Sequence, residues 1–128
     1  MKKYLPNIAG GLLGLCFLAA SVPFLLHLVP EPKLPEGTPI AQFMAAFGPT
    51  GWMTFVKIFE LAGAILVMIP RLRNLGLLVL GPVIVNVIAF HVLVDDPKHL
   101  LNPMIIVIIL CMLYLLGKAR GKFAGLLN

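Results

Sequence analysis

The sequence predicts an all-α integral membrane protein, a four-helix transmembrane bundle built as a single domain over residues 1–128. Of these residues, 60% are hydrophobic and 12% are charged, and the mean hydropathy is +1.03. Soluble domains average roughly half apolar and a quarter charged residues, so too few charges remain here to cover a water-exposed surface. Four apolar runs follow one another along the chain, and a bilayer-spanning helix needs about 20 such residues. Two cysteines are too few for a secreted disulfide scaffold.

The first span is predicted over residues 5–29, directly after Lys2 and Lys3. This run is longer than a typical signal-peptide core, and residues 30–39 carry no clear small-residue cleavage site. We therefore expect a retained helix. Pro23 is expected to kink it near its outer end, because proline removes a backbone donor and clashes with the preceding turn.

The loop after the first span contains four prolines, at positions 30, 32, 35 and 39. Residues 40–47 follow, with Phe43, Met44 and Phe47 at helical spacing. This pattern predicts a short interfacial or re-entrant helix in the first outer loop, with a plain loop that covers the core as an equal alternative.

The remaining spans are predicted over residues 52–69, 75–94 and 101–117. Pro70 ends the second span, and the acidic pair Asp95 and Asp96 closes the third. Asn102 is a suitable cap for the fourth helix, with Pro103 in its first turn.

The distribution of basic residues predicts the orientation. The two termini and the loop at residues 71–74 hold seven of the ten basic residues and no acid. The two other loops hold two basic residues and four acids, Glu31, Glu36, Asp95 and Asp96. The positive-inside rule then places both termini in the cytoplasm of a protein in the cell (inner) membrane. Because the basic residues flank the ends of apolar runs, the net charge of +5 does not indicate nucleic-acid binding.

Lys57 and Glu60 are an ionisable pair within the second span. A charged side chain at mid-bilayer costs about 2.5–3.5 kcal/mol, so each of them requires a partner. Three residues apart on a helix, they share a face at about 5–6 Å, which predicts an intrahelical ion pair. Gly63 and Ala64 extend this face and permit close approach of a neighbouring helix, so we expect the pair to point into the bundle.

Other polar residues fall in the same outer half of the membrane. With a rise of about 1.5 Å per residue, Asn86 lies at the depth of Glu60, whereas His91 and His27 are shallower. Together with Lys57, they predict a polar ligand-binding pocket that opens away from the cytoplasm. Each has a structural alternative: the ion pair could fix helix packing, Asn86 could join helices, and the histidines could sit at the interface.

Further chemistry is not indicated by the sequence. Asp95, Asp96 and His99 show no repeated ligand spacing, so a solvated loop is favoured over a metal site. Cys16 and Cys111 form no Cys-x-x-Cys motif and are interpreted as small buried hydrophobic residues. We predict no catalytic residue. Gly10, Gly14 and Ser21 form a small-residue stripe for packing within the bundle or between subunits.

Residues 57–91 resemble the DoxX family of small four-helix membrane proteins, and they read KIFELAGAILVMIPRLRNLGLLVLGPVIVNVIAFH. The shared elements are Glu60 followed by Gly63, the Pro-Arg turn at residues 70–71, and a third helix with Pro82, Asn86 and His91. Residues 8–26 are similar to the family's first helix. The resemblance implies a left-handed four-helix bundle and a link to redox metabolism. Some members are membrane subunits of a thiosulfate:quinone oxidoreductase or partners of detoxifying oxidoreductases.

Three functions remain open at this stage. The first is a binding or accessory membrane subunit that holds a quinone, a lipid, a partner oxidoreductase or a second copy of the chain. The second is a small transporter or channel that uses Glu60 as the proton or substrate carboxylate. The third is a membrane enzyme with Glu60 or His91 as acid and base. Polar residues confined to one half of the membrane favour the first.

Overall fold

The structure is a computed structural model that describes residues 3–30 and 33–127. Over these residues it is all-α, as predicted, with five α-helices. They are α1 (Leu5–Leu25), α2 (Pro39–Phe47), α3 (Trp52–Met68), α4 (Arg73–Leu93) and α5 (Pro103–Ala124). Short 3-10 turns cover Pro70–Leu72, Pro97–Leu101 and Gly125–Leu127. Lys2, Glu31 and Pro32, on which part of the sequence analysis relied, lie outside the described residues.

Three helical segments of the described chain are long and apolar enough to cross a membrane: α1, Pro70–Leu93 and α5. Helix α3 has 17 residues and extends about 25 Å, which is less than the hydrocarbon thickness of about 30 Å. It qualifies together with α2, although the two helices are bent by 90° at their junction. The described chain therefore has three such spans, or four if the bent pair counts as one.

The end of α1 differs from the predicted span over residues 5–29. The helix continues through Pro23 but ends at Leu25. His27 then adopts a left-handed φ of 58°, and the amide groups of His27 and Leu28 donate to the carbonyls of Phe24 and Pro23. These two bonds form a Schellman motif, which terminates a helix through backbone geometry alone. His27 therefore follows α1 instead of lying within the helix, although the apolar run of the sequence continues to Val29.

The four long helices pack in a closed order. Helix α1 contacts α3 and α5, and α4 contacts the same two helices. The centre of this arrangement is filled by side chains from all four helices, among them Leu13, Val67, Leu80 and Leu115. Every long helix also carries large apolar side chains on its outer surface, such as Leu15, Ile65, Leu78 and Leu113. Lipid solvates such surfaces at no cost, whereas water does not.

Small residues set the separation of the helices. A Cβ atom at Gly76 would lie 2.5 Å from the backbone nitrogen of Val67, so α4 crosses α3 almost backbone to backbone. A Cβ atom at Gly10 would likewise lie 2.9 Å from the carbonyl oxygen of Val67. The Arg73 Nε atom donates a hydrogen bond to this oxygen at 3.0 Å. This bond satisfies one of the carbonyls left open at the end of α3. The predicted small-residue stripe on α1 thus packs within the chain.

Helix α2 confirms the prediction of a short helix in the first loop. Thr38 caps it by accepting a hydrogen bond from the Ala41 amide. None of its residues is buried. It contacts the rest of the structure through aromatic side chains: Phe43 lies against Trp52 and Phe90, with ring centroids 5.6 and 5.2 Å apart.

We expect Gly76→Ala to destabilise the protein by about 1–3 kcal/mol, because the added methyl group meets backbone atoms that cannot rotate away. Thermal melting of the purified variant in detergent measures this effect. Gly11→Ala is the matched control, since a Cβ there has nothing within 4 Å. Equal melting temperatures for Gly76→Ala and the parent would show that α3 and α4 are farther apart than described.

Candidate functional site

A cavity of about 580 Å³ lies between α2, α3 and α4. This volume is within the range of small-molecule sites, about 300–1,000 Å³. Its walls are mostly aliphatic and aromatic, with Phe43 from α2, Trp52 and Val56 from α3, and Val83 and Phe90 from α4. Phe55 and Phe59 also line it while remaining exposed on the outer surface of α3, so the cavity is open along that side.

Four of the five residues predicted for the pocket line this cavity: Lys57, Glu60, Asn86 and His91. They come from the N-terminal half of α3 and the C-terminal half of α4, which the packing of these helices brings together. His27 is not among the lining residues, because α1 ends before it. The first helix reaches the pair instead through Phe24, whose ring centroid lies 5.7 Å from the Lys57 Nζ atom.

The ion pair predicted on α3 is present. Lys57 Nζ donates to Glu60 Oε2 at 3.2 Å, and the side chains are 17% and 5% exposed, respectively. The carboxylate is the more deeply placed member, since Gly63 and Ala64 next to it pack tightly against other helices. Lys57 therefore partners a buried carboxyl group and also lines the cavity.

Asn86 does not reach Glu60 with a hydrogen bond. Its Nδ2 atom donates to the Pro82 carbonyl at 3.0 Å, one turn earlier in α4. The side chain is exposed, and within the described residues its second amide hydrogen and its Oδ1 atom have no other partner. An amide in this position offers a donor and an acceptor to a ligand in the cavity.

His91 connects the cavity to a second polar cluster. Its Nδ1 atom lies 3.0 Å from Asp95 Oδ2, and the same oxygen lies 2.7 Å from Nδ1 of His99. Burial alone would raise the pKa of the Asp95 carboxyl. The hydrogen bonds from His99 and His91 outweigh this effect and hold the pKa below its ordinary value. A carboxylate only accepts hydrogen bonds, so both contacts form with the imidazole tautomer that carries a proton on Nδ1.

The sequence analysis missed the aromatic part of the site. Trp52 was not assigned to the pocket and Phe43 was interpreted as part of an interfacial helix, yet both line the cavity with Phe90. The spacing of Phe43 and Phe47 on one helix face was the available signal. Cys16 and Cys111 are free thiols that pack in or against the core, and they are not among the cavity-lining residues.

Comparison with known proteins gives one family. The sequence profile of the DoxX-like family matches residues 8–113, which cover most of the chain and all cavity-lining residues. No curated protein and no solved structure gives a significant match.

Breaking the ion pair tests whether it is desolvated. We expect Lys57→Leu to lower the free energy of unfolding by about 3–5 kcal/mol, since Glu60 would be left as an uncompensated buried charge. The double variant Lys57→Leu, Glu60→Leu should recover most of this loss, because apolar groups replace a buried pair at little cost. Thermal melting in detergent compares the three proteins. A single variant as stable as the parent would show that water reaches the pair.

Proposed function

The chain belongs to the DoxX-like family, and from this premise we propose that it is an accessory membrane subunit that binds a quinone-class lipid between α2, α3 and α4. The observation that carries the proposal is the combination of apolar, aromatic walls with a few polar groups in one cavity. Ligand sites for amphipathic small molecules have this composition, in which polar groups orient the head and apolar groups supply affinity.

The polar groups match the two oxygens of a quinone ring. The Lys57 ammonium and the Asn86 amide both donate hydrogen bonds, and a quinone carbonyl accepts them. In the reduced ligand the hydroxyl groups become donors, and Glu60 and the Asn86 Oδ1 atom are available as acceptors. The Phe43, Trp52 and Phe90 rings provide flat faces against which a six-membered ring packs.

The open side of the cavity suits a hydrocarbon tail. Phe55 and Phe59 continue the apolar wall onto the exposed surface of α3. A tail that leaves the cavity here would pass directly into the lipid. The proposal assigns electron transfer to a partner oxidoreductase and ligand binding to this chain.

The packing of the core between the cavity and the α3–α4 turn supports a binding function over transport. A transporter requires access to its site from both sides of the membrane. Beyond the cavity, towards the turn that joins α3 and α4, the core is filled by the fully buried Leu13, Val67 and Leu77. These side chains close the path from the cavity to that end.

For the arrangement in the membrane, we propose that α1, α3, α4 and α5 form a four-helix bundle in the inner membrane with both termini in the cytoplasm. Arg71 and Arg73 at the α3–α4 turn, with the basic residues at both termini, support this orientation. The cavity would then lie in the outer half, with α2 along the outer interface.

Trp52 permits a direct binding test, because it is the one tryptophan of the chain and lines the cavity. We expect a short-tailed benzoquinone to quench its fluorescence saturably in detergent. The double variant Lys57→Leu, Glu60→Leu should bind at least about 10-fold more weakly, since a hydrogen bond from a charged group contributes about 1.5–3 kcal/mol.

Lys118→Leu is the control for this measurement, because it also replaces a basic residue by leucine but at an exposed position on α5. Its affinity should equal that of the parent. Quenching that rises linearly with quinone concentration, or that is equal in all three proteins, would reflect partition into detergent and contradict the proposal.

The orientation is tested by labelling in intact cells. A cysteine introduced at Gly37, in a Cys16→Ser, Cys111→Ser background, should react with a membrane-impermeant maleimide added outside. A cysteine at Lys118 should react only after permeabilisation, because the positive-inside rule places it in the cytoplasm. The reverse pattern would overturn the proposed orientation.

A further inference from the structure

A second cluster of ligand-type side chains lies at the outer end of α4. His91 is in the last turn of the helix, Asp95 follows its end, and His99 is in the 3-10 turn Pro97–Leu101. Their positions are four residues apart, but the chain leaves the helical path between them. The hydrogen bonds from the Val94 and Asp95 amides to the Phe90 carbonyl close the helix and turn Asp95 back towards His91.

Each of the three side chains places one potential metal-ligand atom close to those of the other two. These atoms all lie within 4.8 Å of one another. In a tetrahedral zinc site, bonds of about 2.0–2.1 Å place neighbouring ligand atoms about 3.4 Å apart. The two N···O distances here are 3.0 and 2.7 Å, so each nitrogen needs to move away from the Asp95 oxygen by less than 1 Å to reach this spacing.

Protonation and access also suit a cation. Asp95 carries a negative charge, and both Nδ1 atoms point at its Oδ2 atom. An ion at this point would take the place of the two Nδ1 protons, and neutral imidazole rings then carry their proton on Nε2. His99 is 53% exposed while His91 and Asp95 are mostly buried, so the cluster is preformed on one side and reachable on the other.

We propose that His91, Asp95 and His99 bind a divalent transition-metal ion, with Zn²⁺ as the favoured ion. Two imidazole nitrogens and one carboxylate oxygen suit zinc, whereas Ca²⁺ and Mg²⁺ require mostly oxygen ligands. Three protein ligands leave at least one coordination position for water or another small oxygen ligand.

The neighbouring acid Asp96 is not part of this site. Its side chain accepts the Lys98 amide hydrogen bond and lies 3.5 Å from the Lys98 ammonium, so it caps the turn instead. The metal would link the end of α4 to the turn before α5. His91 also lines the cavity, which places the ion at the cavity rim, but the metal site does not depend on the proposed quinone ligand.

Zinc titration of the purified full chain, with any histidine tag removed, tests the proposal. Isothermal calorimetry should show one saturable Zn²⁺ site per chain. His99→Ala and Asp95→Asn should each weaken binding by about 100-fold or more, since even the loss of an outer-shell partner costs 10–100-fold. Replacing Zn²⁺ by Co²⁺ should give visible d–d absorption that both variants lose.

Two matched variants serve as controls. His27→Ala removes the one other histidine of the chain, and Asp96→Asn neutralises the adjacent acid while keeping the cap. Both should bind Zn²⁺ within about 2-fold of the parent. Circular dichroism of each variant without metal confirms that it is folded.

Absence of saturable Zn²⁺ binding by the parent, or equal affinity in folded His99→Ala, would overturn the metal site. Because the probe is the metal alone, this result leaves the quinone proposal untouched. Conversely, failure of quinone to quench Trp52 would leave the zinc measurement as it stands.

Discussion

The buried ion pair on α3 is the constraint on which the cavity-containing half of the structure depends. Glu60 is almost fully enclosed, so its charge must be balanced within the protein, and Lys57 one turn away does so at 3.2 Å. The cost of exposing this pair to lipid directs one face of α3 inwards. Gly63 and Ala64 on that face then allow the other helices to approach. The ion pair fixes the orientation of α3 about its own axis. It thereby also determines which side chains of α3 surround the cavity.

Two kinds of packing meet in the molecule. Towards the α3–α4 turn, Gly76 and Gly10 bring backbones into near contact, and core side chains such as Val67 are fully buried. Towards the other end, the space between α3 and α4 remains open as the cavity, which is lined by aromatic rings from α2 and by polar groups. The closely packed half near the α3–α4 turn thus adjoins a half that contains the cavity. This division explains how so small a chain combines a stable core with a cavity of about 580 Å³.

Much of this arrangement follows from local sequence rules. Hydropathy located the four long helices, and the spacing of Lys57 and Glu60 predicted their contact. What could not be predicted depends on where the chain changes direction. The left-handed turn at His27 ends α1 inside an apolar run, so hydropathy extended the helix too far. The approach of His99 to Asp95 likewise depends on the path after α4, which residue spacing alone does not specify. The contribution of Trp52 to the cavity depends on the 90° bend between α2 and α3.

Helix α2 has no buried residue and is held by aromatic contacts through Phe43 and Phe47. Its local opening free energy is therefore far below that of α1, whose backbone is fixed by core packing. Amide hydrogens of α2 should exchange with solvent through this opening long before those of the core. Because α2 forms one wall of the cavity, the same opening would also uncover the cavity. Opening of this nine-residue segment would therefore set how fast the proposed ligand enters and leaves the cavity.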